Sequence, residues 1–92
     1  MSRKYKPQHI KRWMNHVAES GCCVCGSPAN IHHIRPDAMP RHDLLIIPLC
    51  KYHHQDGQEG IHADVFGWQK LNGNVWNHYV ETLDNYLRSF KR

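Results

Sequence analysis

Two short stretches of this 92-residue sequence decide its fold: Cys22-Cys23-Val24-Cys25 and Cys50-Lys51-Tyr52-His53. Each begins and ends with a side chain that can bind a metal ion, and the two pairs have the same spacing. Tetrahedral zinc prefers cysteine and histidine ligands, and a site with all four positions filled by protein is structural rather than catalytic. We therefore predict that a structural zinc ion holds the fold together. Its predicted ligands are Cys22, Cys25, Cys50 and His53.

Two alternatives to this ligand set remain open. Cys23 could take the place of Cys22 in a tighter Cys-x-Cys pair, although the spacing of the second pair favours Cys22. The cysteines could instead form a redox pair, disulfides or simple buried thiols. A thioredoxin-like pair needs a βαβ context that the sequence lacks, and disulfides need an oxidising compartment.

The location of the chain bears on the state of these thiols. The basic residues 1–6 are not followed by the apolar stretch of about 7–15 residues that an export signal requires. No segment is long and apolar enough to cross a bilayer. We therefore expect a cytoplasmic protein with reduced thiols and no membrane partner.

Length and charge set further limits. A chain of 92 residues makes one small domain, so we expect a single domain over residues 1–92 that needs a staple such as a metal ion. The formal net charge is +4, and basic residues crowd both ends of the sequence. Basic ends suit the phosphate backbone of a nucleic acid, but an ordinary solvated surface explains the charge equally well.

Apolar periodicity predicts a helix near each end of the sequence. Over about residues 7–20 and 75–90, apolar side chains recur at helical spacing. Pro7 and Asn74 are start signals and Gly21 is a stop signal. The aromatic face of the last helix is expected to pack against the domain, with a base-stacking platform as the alternative. Between the helices, we predict strands over residues 29–34 and 44–47 and short helices over about residues 51–56 and 63–71.

Histidines near these stretches are left without a role once the zinc ligands are assigned. They are His32, His33, His54 and His62. Adjacent histidines on a regular strand point to opposite faces. His32 and His33 could therefore be one buried and one solvent-exposed side chain without any function.

The order of these residues resembles the HNH signature of the ββα-metal endonucleases. The resemblance is carried by Ile31-His32-His33-Ile34-Arg35-Pro36, then Asp43, then Ile47-Pro48-Leu49-Cys50-Lys51-Tyr52-His53-His54. Within that superfamily, the sequence resembles in particular the phage recombination nucleases of the Ref type and their prophage relatives. These share a Cys-x-x-Cys ahead of the paired histidines and a downstream Gly-Ile-His like Gly60-Ile61-His62. The resemblance covers about residues 22–64 and implies a small zinc-stapled ββα-metal core. The two helices predicted from periodicity lie outside it, so the expected fold is α+β, with this core flanked by the N-terminal helix and the long C-terminal helix.

The resemblance implies a second, catalytic metal ion. His32, the first of the paired histidines, and His54, in the predicted short helix, would be two of its ligands. His62 would be the third ligand. Glycines separate His54 from His62, and a regular helix would instead place Gln58 on the ligand face. The ion would be magnesium, manganese or zinc: histidine ligands suit the last two, and the superfamily often uses the first two.

The resemblance also assigns catalytic roles to His33 and Asp43. His33 would be the general base that takes a proton from the attacking water, because imidazole titrates near neutral pH. Asp43 stands where the superfamily usually has Asn, and it would orient His33 by accepting a hydrogen bond from the imidazole. His42 is an alternative to Asp43 in this alignment.

These expectations together describe a metal-dependent DNA endonuclease, which would hydrolyse phosphodiester bonds in phage or prophage recombination or DNA processing. Arg35 or Arg41 could bind a substrate phosphate, or both could be ordinary surface arginines. The expected partner is single- or double-stranded DNA. A homodimer could pair two cuts across a duplex, and the likeness to the Ref type suggests a recombinase partner. The alternatives are a non-catalytic, zinc-stabilised nucleic-acid-binding module and a structural protein with two structural metal ions.

Overall fold

The structure, a computed structural model, describes residues 6–36, 39–55 and 60–90 of the chain. Within these ranges, a two-stranded sheet and helices confirm the predicted α+β class. No helix there is long and apolar enough to cross a membrane. The elements in chain order are α1 (Gln8–Glu19), β1 (Asn30–His33), β2 (Ile46–Leu49), α2 (Lys51–His54), α3 (Val65–Asn72) and α4 (Val75–Arg88).

The two strands pair antiparallel. Asn30 lies opposite Leu49, and His33 lies opposite Ile46. The predicted first strand is confirmed to within one residue at each end. Because β2 is followed at once by α2, the backbone runs from the sheet directly into the short helix that carries the metal-binding residues.

The prediction of the second strand over residues 44–47 is wrong by two residues. Leu44 is 41% exposed, whereas every residue of Ile46–Leu49 is buried. The apolar run therefore continues through Pro48, which usually interrupts a strand. The sheet tolerates Pro48 because, in the described part of the chain, β1 is the only strand that pairs with β2, and the Pro48 carbonyl accepts a hydrogen bond of 2.9 Å from the Cys23 N–H.

The predicted N-terminal helix is confirmed as α1. It begins after Pro7, whose carbonyl accepts a hydrogen bond from the first turn, and it is followed by Gly21 with a φ of +83°. A Cβ at this glycine would lie 2.9 Å from a backbone oxygen of the facing turn, so only glycine fits. Trp13 and Val17 are buried, but Ala18, an apolar residue of the same helix, is exposed.

The C-terminal helix α4 begins at the predicted cap. The Asn74 side chain accepts a hydrogen bond of 2.8 Å from the Trp76 backbone N–H. The apolar face of α4 is only partly used for packing, because Tyr79, Leu83 and Tyr86 contact a buried cluster. The other apolar side chains predicted on this face are exposed: Trp76, Val80, Leu87 and Phe90.

The core lies on both sides of β2. On one side, Ile46 packs with Trp13 and Val17 of α1. On the other side, Ile47 and Leu49 belong to a second cluster, because successive strand side chains point to opposite faces. This second cluster ties the Cys-x-x-Cys stretch, α3 and α4 to the sheet. It also contains Cys22, Cys50, Ile61, Trp68 and Val75.

The two short helices differ slightly from their predictions. The helix predicted over residues 63–71 is observed as α3, which begins after Asp64 because this side chain accepts a hydrogen bond of 3.1 Å from the Gly67 N–H. The helix that begins at Lys51 ends at His54. Its predicted stop signal at residues 56–57 lies outside the described residues.

Candidate metal centres

The four predicted zinc ligands come together in one group, which we call the thiol cluster. Cys50 Sγ lies 3.3 Å from His53 Nδ1 and 3.7 Å from Cys25 Sγ. Cys22 Sγ lies 3.7 Å from His53 Nδ1, and all four ligand atoms are within 4.8 Å of one another. Tetrahedral zinc with bonds of about 2.0–2.3 Å separates its ligand atoms by about 3.5–3.8 Å. The thiol cluster could therefore hold a zinc ion.

The Cys-x-x-Cys stretch forms a tight turn that brings the sulfurs of Cys22 and Cys25 close together. The Gly26 N–H donates to the Cys22 carbonyl at 2.8 Å, and the Cys22 N–H donates to the Ser27 carbonyl at 2.7 Å. The Val24 N–H points at Cys22 Sγ from 3.4 Å. Metal ions bind the thiolate form of cysteine, and this turn brings Cys22 and Cys25 into one group of ligands.

The thiols of this cluster have unequal acidities. Hydrogen bonding to the side chain and backbone of Ser27 lowers the pKa of Cys25 to about 6, so this exposed thiol is largely ionised at neutral pH. Burial raises the pKa of Cys50 above its ordinary value. A cation bound between the sulfurs would offset the cost of ionising a buried thiol, because metal binding displaces the thiol proton.

Cys23 lies outside the thiol cluster. It packs instead against the apolar cluster that contains Ile47 and Leu49, and burial raises the pKa of its thiol to about 12. A thiol with this pKa stays protonated and is a poor metal ligand. Of the two alternatives that the sequence left open, the structure brings Cys22 rather than Cys23 to the other three ligands.

A second group, the histidine cluster, contains His32, His54 and His62. The ring centroid of His32 is 5.0 Å from that of His54 and 5.1 Å from that of His62. The Nε2 atoms of His54 and His62 are 2.9 Å apart. Two imidazole nitrogens at this distance need a proton or a cation between them, because two lone pairs repel. The donor set therefore fits a metal ion, for which bonds of about 2.0–2.1 Å are usual.

His62 reaches this cluster through its neighbours rather than through a helix. Ile61 is 1% exposed and anchors the segment in the core. Its N–H donates to the His53 carbonyl at 2.8 Å, and the His62 N–H donates to the His54 carbonyl at 3.3 Å. The Trp68 indole N–H donates to the His53 carbonyl as well, at 3.1 Å. Gln58, the alternative third ligand, lies outside the described residues.

The electrostatics of the histidine cluster suit a cation. Burial, followed by the proximity of His54 and His62, lowers the pKa of His32 to about 4. Burial and the proximity of His62 also lower the pKa of His54. His32 and His54 are therefore uncharged at neutral pH and offer nitrogen lone pairs. His54 is only 8% exposed, and its Nδ1 has no hydrogen-bond partner in the described part of the chain.

His33 and Asp43, the predicted base and its orienting residue, contact each other. His33 Nε2 lies 3.0 Å from Asp43 Oδ1. The other carboxylate oxygen, Oδ2, accepts a hydrogen bond of 2.7 Å from Lys6 Nζ. First Lys6 and then His33 lower the pKa of Asp43, so the carboxylate stays charged. Sequence reasoning missed Lys6, because nothing in the local pattern signals a contact between residues so far apart.

His42, the alternative to Asp43 in the alignment, makes a different contact. His42 Nδ1 accepts a hydrogen bond of 3.1 Å from the Leu44 N–H and so closes a turn. This leaves Asp43 as the neighbour of His33.

The histidine cluster and His33 line one pocket of about 280 Å³. Although His32 and His33 are adjacent on β1, both line it, so neither is the exposed bystander that strand alternation allowed. Arg35 and Arg41 line it too, and no acidic side chain does among the described residues. The pocket is therefore cationic at its rim and rich in nitrogen ligands at its wall, which suits an anion bound beside a metal ion.

The sequence was compared with known families and proteins. The model of the family DUF968, described as "Protein of unknown function", matches residues 2–89. The chain belongs to the DUF968 family. This DUF968 chain is 26% identical over 91 residues to the uncharacterized protein YdfU of Escherichia coli (strain K12). The match covers 92% of the chain and 24% of YdfU, so the chain spans about a quarter of that curated relative. No solved structure matches this DUF968 member.

Proposed function

We propose that this chain is a metal-dependent DNA endonuclease of the HNH type, which hydrolyses phosphodiester bonds. One observation carries the proposal: the three nitrogen ligands of the histidine cluster and the His33 side chain, which contacts Asp43, line one pocket rimmed by arginines. A purely structural metal site would not explain why His33, Arg35 and Arg41 line the same pocket as the metal ligands. The resemblance to the ββα-metal endonucleases supports the same roles for these residues.

Each metal has a separate task in this proposal. A zinc ion in the thiol cluster would fix the start of α2 against the turn after α1. The histidine cluster would hold a catalytic divalent ion, magnesium, manganese or zinc. When bound, that ion would neutralise charge on the phosphoryl oxygens and stabilise the leaving 3′ oxygen.

His33 would act as the general base. With its Nε2–H donating to Asp43 Oδ1, the lone pair of His33 lies on Nδ1. This nitrogen would take the proton of the attacking water, and the Asp43 carboxylate would hold the ring in place and stabilise its positive charge. Lys6 would keep Asp43 ionised through the second carboxylate oxygen.

Arg35 and Arg41 would bind the phosphates that flank the cleaved bond. Both line the pocket beside the histidines, and a guanidinium group donates two parallel hydrogen bonds to a phosphate. DNA association would therefore weaken as the salt concentration rises, since phosphate contacts release counterions.

The test compares His33→Ala with His9→Ala, a variant of an exposed histidine on α1 that belongs to neither metal cluster. Purified protein is incubated with supercoiled plasmid and with single-stranded oligonucleotides, in magnesium, manganese, zinc or nickel. We expect His33→Ala to lower the cleavage rate by about 100-fold or more, the usual contribution of a general base. His9→Ala should cut at the wild-type rate, and both variants should keep the wild-type zinc content.

Two results would contradict the proposal. If His33→Ala cuts as fast as His9→Ala, a contaminating nuclease or a different base is responsible. If the wild-type protein binds DNA but cuts no substrate with any of these metals, the chain is a zinc-stabilised nucleic-acid-binding module instead.

A further inference from the structure

We propose that an apolar groove beside the histidine pocket binds an unpaired nucleobase, so that the substrate is DNA with a single-stranded region at the cleaved bond. The groove has a volume of about 390 Å³ and lies where the end of β1 meets α3 and α4. The inference rests on the proposed nuclease function for the identity of the ligand. Apart from His32 and Arg35, the residues that line the groove have no part in the roles assigned above.

The groove continues the histidine pocket. His32 and Arg35 line both cavities, so the two lie side by side and one ligand could contact both. A nucleotide has this shape, with an anionic phosphate joined through a sugar to a flat apolar base. A phosphate held beside His32 and Arg35 would direct its own base, or the neighbouring one, into the groove.

Two exposed aromatic rings line the groove together with buried apolar side chains. Phe66 is 82% exposed, the highest value among the large apolar side chains described, and Trp76 is 39% exposed. Both line the groove, while Ile34, Ile61 and Val75 beneath them are each less than a tenth exposed. Aromatic side chains at such positions are platforms on which bases stack.

Gln69 adds a polar group of the kind that reads a base edge. It lines the groove, and its Oε1 accepts a hydrogen bond of 2.9 Å from the Val75 N–H. Because a backbone N–H is a donor, the acceptor must be the amide oxygen, and the amide nitrogen is left for a ligand. Base edges carry oxygen and nitrogen acceptors that such a donor can bind.

An unpaired base fits these features better than a duplex does. Within a duplex the base faces are covered by their neighbours, so an aromatic ring can stack only on a base that is single-stranded or flipped out. A protein partner would also cover Phe66 and Trp76. A nucleobase is favoured because the groove adjoins the cationic pocket, with His32 and Arg35 lining both, and no acidic side chain lines either cavity among the described residues.

The experiment measures binding without cleavage. The zinc-loaded 92-residue chain carrying His33→Ala is titrated with three fluorescent ligands: a single-stranded oligothymidine of about 12 nucleotides, an abasic sugar-phosphate strand of the same length, and a hairpin duplex. We expect the oligothymidine to bind most tightly. Phe66→Ala should weaken its binding by about five-fold or more. The matched control is Leu71→Ala, because Leu71 is 72% exposed on the same helix but does not line the groove.

Tryptophan fluorescence gives an independent readout. Trp13 and Trp68 are each 3% exposed, so Trp76 is the tryptophan that a ligand can reach. Oligothymidine should quench the emission, the abasic strand should not, and the quenching should be lost in Trp76→Leu. Phe66 is so exposed that its removal leaves the core intact, and an unchanged melting temperature checks this.

The outcomes separate the two proposals. Equal affinity for oligothymidine and the abasic strand, or equal binding by Phe66→Ala and Leu71→Ala, would overturn the base site while leaving nuclease activity to its own test. Base-dependent binding by a protein that never cuts DNA would support the groove and reject the nuclease. If Phe66→Ala abolishes self-association in sedimentation but leaves DNA binding unchanged, the groove is a protein interface and the inference is wrong.

Discussion

Asp43 divides its two carboxylate oxygens between Lys6 and His33, at 2.7 Å and 3.0 Å. The same carboxylate therefore ties the residues that precede α1 to the end of β1 and orients a histidine that lines the pocket. Because Lys6 is the stronger influence, Asp43 stays ionised whether or not His33 carries a proton. At the scale of single residues, the candidate base is thus positioned by a group with a fixed charge.

Replacement of Asp43 tests this positioning role. In the proposed nuclease, Asp43→Ala should lower the single-turnover cleavage rate by about 10- to 100-fold, the usual cost of losing an orienting partner. Asp43→Asn should lose less, because its amide oxygen still accepts the His33 hydrogen bond. Lys6→Met is the control, since it removes the ion pair and keeps the Asp43–His33 contact. Wild-type cleavage by Asp43→Ala would show that Asp43 does not orient the base.

At the scale of elements, α2 is the piece on which both candidate centres depend. It has four residues and lacks a side-chain cap, and a helix of one turn is not stable by itself. Cys50 and His53 belong to the thiol cluster, and His54 belongs to the histidine cluster. Loss of the metal at the thiol cluster should therefore release α2 and separate His54 from His32.

Two cysteine variants test this dependence. Cys25→Ser removes an exposed ligand, so the substitution itself costs little packing. We expect it to lower the zinc content below one ion per chain and the melting temperature by about 10 °C or more, because zinc binding contributes directly to folding. Cys23→Ser should keep the zinc, since Cys23 lies outside the cluster. Elemental analysis and thermal unfolding followed by circular dichroism measure both effects.

One result would reject the proposed ligand set of the thiol cluster. Cys23→Ser losing its zinc while Cys25→Ser keeps it would mean that the other cysteine is the ligand. Treatment of the wild-type protein with a chelator should reproduce the Cys25→Ser melting temperature, and added zinc should restore it.

At the scale of the whole molecule, α1 and α4 close one side of the sheet around a single indole. Trp13 is 3% exposed and packs edge-on against Tyr79 and Tyr86, with ring centroids 6.3 Å and 5.2 Å away. Ile46 of β2 and Val17 complete this cluster. The two apolar clusters, one on each side of β2, together keep in place the segments, distant in sequence, that line the histidine pocket.

Truncation of this indole should destabilise the protein strongly. We expect Trp13→Ala to lower the free energy of unfolding by about 3–5 kcal/mol and Trp13→Phe to lower it by less, since an aromatic ring remains. Val80→Ala is the control on α4, because Val80 is 60% exposed, and it should change stability by about 0.5 kcal/mol or less. Urea unfolding of zinc-loaded protein measures all three. Similar losses for Trp13→Ala and Val80→Ala would contradict this view of the core.

The sequence by itself determined the local features. Spacing predicted α1 and α4 with their Pro7 and Asn74 starts, because helix periodicity and capping depend on residues a few positions apart. Spacing also predicted the four members of the thiol cluster, because a Cys-x-x-Cys and a Cys-x-x-His each bring two ligands together within one turn. Spacing also favoured Cys22 over Cys23, correctly, but it could not exclude Cys23, because a Cys-x-Cys pair can bind a metal ion as well.

Only the tertiary structure decided how separate segments meet. The contact of Lys6 with Asp43, the approach of His62 to His32, and the groove that the end of β1 forms with α3 and α4 all join segments distant in the chain. Such meetings depend on loop conformation and on the packing of buried anchors, such as Ile61 and Trp68, rather than on a repeating pattern. The resemblance suggested His62, but its position follows from those anchors. The paired histidines were visible in the sequence, and the fold decided that both would line one pocket.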